Sequence, residues 1–234
     1  MSRSIPPTSE PRTRPVPPAA RSLVDAVVWD FGNVLVRWDP AAAVADRWDR
    51  ALFAELVERS GFSELNDNLD RDAPNHELLV ALESRDAEAA AFWRYYEENA
   101  PSSIFPDIPG TPELVHELAD AGVPQYGLTN WSRSLAPLIA EIVPASTRLQ
   151  GRVVSSLVGQ VKPGSEIFHT LIERFSLTPA RTLFIDDRPE NTAAAAALGF
   201  QTHTFHPPGG APVLRAHLAR LGLPVAAGGP RPRQ

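Results

Sequence analysis

Short apolar segments rich in β-branched residues alternate along this chain with amphipathic segments of helical length, and this alternation restricts the fold more than any other feature. The apolar segments have the length of buried strands and end abruptly at polar residues. Helices between successive strands return the chain to the same edge of a sheet, so that the strands pair in parallel. We therefore predict an α/β fold, a doubly wound parallel sheet with a Rossmann-like core, whose strands lie at 23–29, 123–128, 153–158, 182–185 and 200–205.

Capping and spacing signals predict the helices between these strands. Thr111 is expected to cap a helix that ends at Gly122. Apolar residues at helical spacing predict a second helix over 167–175. An alanine-rich helix is predicted over 189–199, opened by proline and closed by glycine, and a last helix over 213–221.

Residues 39–106 break the alternation of strands and helices. Apolar residues repeat there at helical spacing and no convincing strand appears, which predicts a small helical module inserted after the first strand. The α/β core would then comprise 21–38 and 107–224. The segment 1–20 holds six prolines and almost no large apolar residue, so we expect a disordered arm, and we expect a flexible tail at 225–234.

The composition excludes several kinds of chemistry and partner. The chain has no cysteine, which removes disulfides, zinc–thiolate sites and thiol catalysis. A formal net charge of −6 gives no electrostatic reason to bind nucleic acid. No apolar run approaches the ~18 residues of a membrane span, so we expect no membrane partner. The proline-rich start lacks the apolar stretch of a secretory signal, and we therefore expect a cytoplasmic protein.

Polar residues mark the ends of the predicted strands, which is the edge where parallel sheets bind ligands. Asp30, Thr129 and the pair Asp186 and Asp187 each follow a strand, and Lys162, the single lysine of the chain, follows another. Each has an ordinary structural explanation when taken alone, as a turn residue, a helix cap or an exposed charge. Their joint position at one edge of the sheet favours a functional site.

The three carboxylates of Asp30, Asp186 and Asp187 need a cation among them, since they would otherwise raise each other's pKa. Mg²⁺, a hard ion that binds oxygen ligands, meets this need. A lysine, a hydroxyl and the backbone amides of Asn130 and Trp131 at a predicted helix start then suit a phosphate group. Asp30 beside a bound phosphate is placed for in-line attack, which gives an aspartyl-phosphate that water hydrolyses.

Four segments, at 27–35, 127–131, 161–168 and 183–191, resemble the four sequence motifs of the haloacid dehalogenase superfamily. They occur in the family's order, and the resemblance extends over about residues 21–222. The predicted helical insertion stands where that family carries a helical cap over its active site. The chain resembles a phosphatase-like hydrolase of this superfamily, with the Asp-x-Gly-Asn-Val-Leu form of the first motif.

The resemblance implies a nucleophile and a set of metal ligands. Asp30 would be the nucleophile. Its carboxylate, the backbone carbonyl of Gly32 and the carboxylates of Asp186 and Asp187 would hold Mg²⁺. The resemblance leaves open which carboxylate of the pair is the direct ligand.

The resemblance also implies how the substrate is held. Two residues would orient the phosphate and stabilise the charge on the transferring group, which makes them catalytic together with the nucleophile: Thr129 and Lys162. The residues that we expect to contact the substrate are Gly32, Asn33, Thr129, Asn130, Trp131 and Lys162.

The first motif departs from the usual family pattern at Gly32. Most phosphatases of the family read Asp-x-Asp there, and the second Asp protonates the leaving group. Gly32 has no side chain to donate a proton, although its carbonyl still serves the metal. We therefore expect a preference for leaving groups that need little protonation. A rate that does not depend on leaving-group pKa would mean that another residue supplies the proton, and the cap would be the place to find it.

The predicted function is hydrolysis of a small phosphorylated metabolite by a Mg²⁺-dependent phosphatase, through an aspartyl-phosphate on Asp30. A sugar 1-phosphate is a candidate substrate, since a subgroup with this form of the first motif includes sugar-1-phosphate phosphatases. Two alternatives stay open: a 2-haloacid dehalogenase that uses the same nucleophile, and a non-catalytic binding module on the same fold. The sequence is compatible with a monomer or a homodimer.

Overall fold

A five-stranded parallel sheet lies at the centre of the protein in the computed structural model, which describes residues 22–106 and 108–226. The predicted arm at 1–20 and most of the predicted tail at 225–234 lie outside the described residues. The strands, which include a separate short pair, are β1 (Ala26–Trp29), β2 (Arg37–Trp38), β3 (Ile104–Phe105), β4 (Gln125–Thr129), β5 (Gly151–Val154), β6 (Thr182–Asp186) and β7 (Gln201–Thr204).

The sheet is doubly wound. Its strand order is β5-β4-β1-β6-β7, and all neighbours are parallel. The chain therefore starts in the central strand, adds two strands on one side and then two on the other. This arrangement confirms the predicted α/β fold with a Rossmann-like core, and it leaves β1 between β4 and β6 with its carboxyl end at the switch point, where such sheets bind ligands.

Helices connect the strands and form the inserted segment. Among the residues that the structure describes, no helix is long and apolar enough to cross a membrane. The helices are α1 (Arg50–Ser60), α2 (Phe62–Asp70), α3 (His76–Arg85), α4 (Ala87–Asn99), α5 (Thr111–Asp120), α6 (Ile139–Ile142), α7 (Ser155–Val158), α8 (Ser165–Phe175), α9 (Pro189–Ala197) and α10 (Gly210–Arg220).

Both faces of the sheet are covered by helices. Successive strand residues point to opposite faces, and Val28 and Phe184 accordingly pack with α8 and α9 while Val27 and Trp29 pack on the other face with α5 and α10. All four side chains are completely buried. Strands buried on both faces carry no polar alternation, which explains their uninterrupted apolar sequences.

The inserted helices α1–α4 cover the carboxyl ends of the central strands, where they share a cavity with the sheet; they are called the cap below. Phe92 and Trp93 of α4 are completely buried. They belong to the same continuous hydrophobic core as Trp29 and Leu114 of the α/β part. The cap is therefore packed onto the sheet rather than held away from it.

The chain enters and leaves the cap through a two-stranded antiparallel ribbon, called the neck. Arg37 of β2 pairs with Phe105 of β3, and Trp38 pairs with Ile104. The expectation that 39–106 contains no strand is therefore wrong at its last residues. Two-residue strands leave no periodic pattern in a sequence, and they form here because the outgoing and returning segments satisfy each other's backbone groups.

The predicted strand at 153–158 is wrong in its second half. The strand ends at Val154, and Ser155–Val158 form the single helical turn α7. The Ser155 hydroxyl accepts a hydrogen bond from the amide of Trp131 at 2.9 Å, which draws the chain out of the sheet. A short apolar run suits either a buried strand or a buried helical turn, so the sequence pattern does not separate the two.

The predicted cap at Thr111 is also wrong. The N-cap position belongs to Gly110, whose amide donates to the Glu113 carboxylate at 2.9 Å. The Thr111 hydroxyl instead donates to the carbonyl of Val34 at 2.5 Å, far away in sequence. Thr111 thus anchors α5 to the loop after β1.

We expect the apolar interface between α8 and the sheet to contribute strongly to stability. Leu171→Ala removes a completely buried side chain and should lower the free energy of unfolding by about 2–5 kcal/mol, since it leaves a cavity in a packed core. The matched control is Leu157→Ala, whose side chain is 53% exposed and whose loss should be within about 0.5 kcal/mol. Urea denaturation of the two variants checks this, and equal losses would contradict it.

Candidate active site

The ammonium group of Lys162 lies at the carboxyl ends of three neighbouring strands. Its Nζ donates to Asp30 Oδ1 at 2.7 Å, to Asp186 Oδ2 at 2.7 Å and to the carbonyl of Leu128 at 2.9 Å. These bonds use the three donors of an ammonium. The side chain of Lys162 is 1% exposed, so the alternative of an exposed surface lysine is wrong.

Asp30, Asp186 and Asp187 bring carboxylate oxygens within 4.8 Å of one another. Burial raises the pKa of Asp30 to about 7, opposed by the charge of Lys162 and reinforced by the two other carboxylates. Three carboxylates and one ammonium leave two formal negative charges at the site. This donor set, made of hard oxygen atoms with an excess of negative charge, fits a divalent cation such as Mg²⁺.

Two asparagines hold the acidic pair in place. Asp186 Oδ1 accepts from the backbone amide of Arg188 and from Asn191 Nδ2, both at 2.9 Å. Asp187 Oδ2 accepts from Asn33 Nδ2 at 3.0 Å. The side-chain oxygen of Asn191 is buried and has no hydrogen-bond partner among the described residues, which leaves an acceptor beside the carboxylates for a bound water.

Several residues predicted to bind substrate line the cavity and also hold other parts of the site. Asn130 forms two hydrogen bonds with the backbone of Lys162, accepting at 2.9 Å and donating at 3.0 Å, and thereby fixes the lysine. The amide of Trp131 is taken by Ser155. The predicted helix start at these residues is wrong, because the first helical residue after β4 is Ala136. The side chain of Asn33 supports Asp187 and accepts from the amide of Trp38, in the neck.

Thr129 and Gly32 are placed close to the cluster by the ends of β4 and β1. Thr129 is the last residue of β4 and is 1% exposed, next in the chain to Asn130. Gly32 lines the cavity above Asp30, and a Cβ added to it would meet no atom within 4 Å. The structure thus brings the sequence-predicted residues to one edge of the sheet, as parallel pairing requires.

A cavity of about 510 Å³ opens above this cluster, between the sheet and the cap. Its volume is within the range of about 300–1,000 Å³ that is typical for small-molecule sites. The sheet side is polar and includes Asp30, Asn130, Lys162 and Asp187. Apolar side chains of the cap, the neck and the loop after β4 also line the cavity, among them Val57, Phe62, Leu69, Tyr96, Ile104 and Leu135. The cap adds four polar residues, which are Ser63, Asn66, Asp67 and Asp70.

The cap residues of this cavity were missed by the sequence reasoning. Phe62, Asn66, Leu69 and Asp70 line the cavity from one face of α2. These residues are four, three and one positions apart, as on one side of a helix. A helix predicted over this segment would therefore have grouped them together. Nothing in the sequence shows that this face turns toward the sheet, since that depends on how the cap docks.

An ion pair joins the cap to the α/β part beside the cavity. Arg133 Nη2 lies 2.8 Å from Asp72 Oδ2, and the same guanidinium donates to the carbonyl of Ser156 at 3.1 Å. Asp72 lies two residues beyond the last residue of α2. Both side chains are largely exposed, at 58% and 42%, so the pair links the cap to the α/β part only weakly.

The model of the haloacid dehalogenase-like hydrolases matches residues 24–199, which include all the strand-end residues described above. The chain belongs to this family. The family resemblance inferred from the four motifs is thereby confirmed. The cavity between the parallel sheet and the cap is accordingly the candidate active site of a hydrolase.

Two curated relatives are phosphatases. A sesquiterpene phosphatase of Aspergillus oryzae is 26% identical over 175 residues, which cover 74% of this chain and 86% of that protein. A ribulose-1,5-bisphosphate 5-phosphatase of Halopiger xanaduensis is 26% identical over 211 residues, which cover 79% of this chain and 86% of that protein. The alcohol parts named in these two relatives differ widely in polarity.

This chain shares its fold with solved structures of more than one kind of hydrolase. A HAD-like family hydrolase of Porphyromonas gingivalis matches with a TM-score of 0.61 at 18% identity, over 84% of this chain and 98% of that one. A HAD family enzyme of Bacteroides thetaiotaomicron, in complex with magnesium and inorganic phosphate, has a TM-score of 0.53 at 18% identity, over 78% and 94%. The L-2-haloacid dehalogenase of Xanthobacter autotrophicus has a TM-score of 0.58 at 15% identity, over 84% and 83%. Fold alone therefore does not separate phosphatase from dehalogenase.

We expect Lys162→Met to destabilise the protein by about 3–5 kcal/mol at neutral pH, because it leaves Asp30 and Asp186 buried without a cation. The loss should shrink at acidic pH. Without the lysine the pKa of Asp30, already raised by burial, rises further, so this carboxylate becomes neutral sooner as the pH falls. Urea denaturation with chelator present, at pH 7.5 and pH 5, measures both effects.

The control for Lys162→Met is Arg148→Met. Arg148 pairs with Asp120 at the surface, where its side chain is 40% exposed, and surface ion pairs contribute little to stability. If the two variants lose similar free energy of unfolding, the buried ammonium does not hold the carboxylates together.

Proposed function

We propose that this protein is a Mg²⁺-dependent phosphatase, which transfers the phosphoryl group of a phosphate monoester to Asp30 and then to water. The observation that carries the proposal is a carboxylate on the floor of a cavity, beside two more carboxylates and a buried ammonium. Membership of a hydrolase family and two phosphatase relatives support it.

Asp30, Asp186, Asp187 and the carbonyl of Gly32 would hold the Mg²⁺. When bound, the ion neutralises the phosphate oxygens and the excess negative charge of the carboxylates. The same excess charge argues against a 2-haloacid dehalogenase, whose reaction at carbon gives no reason for three clustered carboxylates. The non-catalytic alternative gives no reason for a buried ammonium shared by two of them.

The residues of the chain itself perform the remaining steps. Lys162 directs Asp30 through a 2.7 Å hydrogen bond to Oδ1, which leaves Oδ2 to attack phosphorus in line with the leaving group. The ammonium and the Thr129 hydroxyl stabilise the charge of the transferring group. Water then attacks the aspartyl-phosphate, and the P–O bond to Asp30 breaks to regenerate the carboxylate.

Chelation should abolish hydrolysis of 4-nitrophenyl phosphate, and added Mg²⁺ should restore it in the wild type but not in Asp30→Asn. Loss of a covalent nucleophile lowers kcat by several orders of magnitude. Beryllium fluoride should bind to the Asp30 carboxylate as a mimic of the acyl phosphate. Mass spectrometry of a trapped phosphopeptide should locate the phosphate on this residue.

Circular dichroism and urea denaturation check that Asp30→Asn is folded. Release of halide from 2-chloropropionate in the presence of chelator would support the dehalogenase instead. Activity above a few per cent in the variant would remove Asp30 as nucleophile.

For the substrate, we propose a phosphate ester whose alcohol part is apolar. Val57, Phe62 and Leu69 of the cap and Leu135 after β4 line the cavity with apolar side chains, beside the polar Ser63, Asn66, Asp67 and Asp70 of α2. Burying such surfaces against an apolar group stabilises binding by about 25 cal/mol per Å², whereas sugar hydroxyls would lose hydrogen bonds to water against them. The sesquiterpene phosphatase among the relatives agrees with this choice. The equally similar ribulose-1,5-bisphosphate 5-phosphatase is named for a sugar phosphate, so the choice rests on the lining of the cavity.

An isoprenoid alcohol phosphate such as farnesyl phosphate should therefore have a kcat/KM at least about tenfold above that of glucose 1-phosphate, since differences of 10–200-fold follow from single apolar groups in a pocket. Leu69→Ser should reduce this preference, because it should lower kcat/KM for the isoprenoid ester and leave that for glucose 1-phosphate unchanged. The control is Val80→Ser on the 53% exposed surface of α3. A higher kcat/KM for glucose 1-phosphate than for farnesyl phosphate would contradict the apolar substrate and favour a sugar phosphate.

A further inference from the structure

The cap contributes a carboxyl group to the lining of the cavity that holds Asp30. Asp70, the last residue of α2, lines the same cavity as Asp30 and Gly32. The space above Gly32 is open, because a Cβ there would meet no described atom within 4 Å. The alcohol part of a phosphate ester that Asp30 attacks can therefore extend between the sheet and Asp70.

Two contacts involve the end of α2. Asn66 Nδ2, one helical turn earlier, donates to Asp70 Oδ2 at 3.3 Å. The ion pair of Asp72 with Arg133 ties the following residues to the α/β part. Asp70 is thus a half-buried carboxyl that accepts a hydrogen bond from its own helix.

We infer that Asp70 protonates the leaving-group oxygen of the substrate, the role that Gly32 leaves without a donor. This inference rests on the proposed phosphatase function. It assigns the two halves of the chemistry to the two sides of the cavity: the nucleophile to the sheet and the acid to the cap.

The protons and bonds balance over two steps. In the first, Asp30 Oδ2 forms a bond to phosphorus, the ester P–O bond breaks, and the proton of Asp70 moves to the departing alkoxide oxygen, so that the alcohol leaves neutral. In the second, a water molecule loses its proton to the Asp70 carboxylate as its oxygen attacks phosphorus, and the Asp30–phosphorus bond breaks. Asp70 is then protonated again.

The electrostatic surroundings support an acid that is protonated near neutral pH. Burial raises the pKa of Asp70 to about 7, with a further contribution from Asp67. Three cations oppose the rise: Lys162 and Arg188 from the α/β part and Arg71 at the end of α2. On α4, Tyr96 faces the same group, and the charge of Asp70 contributes to the raised pKa of that phenol.

Asp67 is the nearest alternative acid and also lines the cavity. Its side chain is 53% exposed, whereas Asp70 is half-buried. Asp187 already accepts from Asn33 and belongs to the carboxylate cluster. The structure therefore favours Asp70 as the proton donor, and it provides Asp67 as a matched control.

The test is the dependence of kcat/KM on leaving-group pKa, measured with substituted phenyl phosphates and a primary alkyl phosphate in the presence of Mg²⁺. The wild type should show a shallow dependence. Asp70→Asn should show a steep one: the rate with the alkyl phosphate should fall by about 10²–10⁴-fold, as for loss of a general acid, and that with 2,4-dinitrophenyl phosphate by less than about threefold. Asp67→Asn should keep the wild-type slope.

The pH profile supplies a second measurement. The acid acts only when protonated, so the wild-type kcat/KM for the alkyl phosphate should fall as the pH rises through the pKa of Asp70, while that for 2,4-dinitrophenyl phosphate should not. This difference between the two esters should disappear in Asp70→Asn.

Two outcomes overturn the inference without touching the phosphatase function. One is an equal loss for all esters in Asp70→Asn, which would indicate a structural role. The other is a steep dependence already in the wild type, which would mean that no residue donates a proton. Absence of any Mg²⁺-dependent hydrolysis by the wild type would instead overturn the proposed function, and the role of Asp70 with it.

Discussion

The buried ammonium of Lys162 is the interaction on which the architecture of the site depends. It bonds carboxylates from β1 and β6 and a carbonyl at the end of β4, so three adjacent strands meet at one atom. Asp30 and Asp186 are both buried, and burying them without a cation would cost several kcal/mol. The other basic residues of the chain are all arginine. A planar guanidinium cannot direct donors to three partners around a single point, so the lysine at this position has a geometric reason.

The sheet edge and the cap contribute different groups to the cavity above this ammonium. The sheet edge supplies charge, since parallel strands bring their polar ends together at fixed spacing. The cap supplies surface: Phe62 and Leu69 of α2 form apolar walls, and Asp70 lies on the same helix. In the proposed mechanism the alcohol part of the substrate would contact mostly the cap. Changes in α2 would then alter which esters fit, while the chemistry on Asp30 stays the same.

The sequence predicted the parts of this structure that follow from local pattern and parallel pairing. The buried strands, their polar ends and the helical insertion are of this kind, because each leaves a periodic or terminal signal. What failed depends on tertiary contacts. Whether the apolar run from Val153 continues as a strand is decided by the bond of Ser155 to Trp131. The role of Asn130 as a support for Lys162 depends on two distant loops meeting, and the position of Asp70 depends on how the cap docks.

The neck has a consequence for how such a protein can diversify. The two crossings between sheet and cap run side by side, with Arg37 opposite Phe105 and Trp38 opposite Ile104. The ends of the insertion are therefore adjacent whatever lies between them, and lengthening a closed loop adds only about 0.6 kcal/mol per doubling. The register of the strands and the three hydrogen bonds of the Lys162 ammonium do not depend on the size of the inserted segment. A cap of different length or helix number can replace this one, provided that it begins and ends in the same neck.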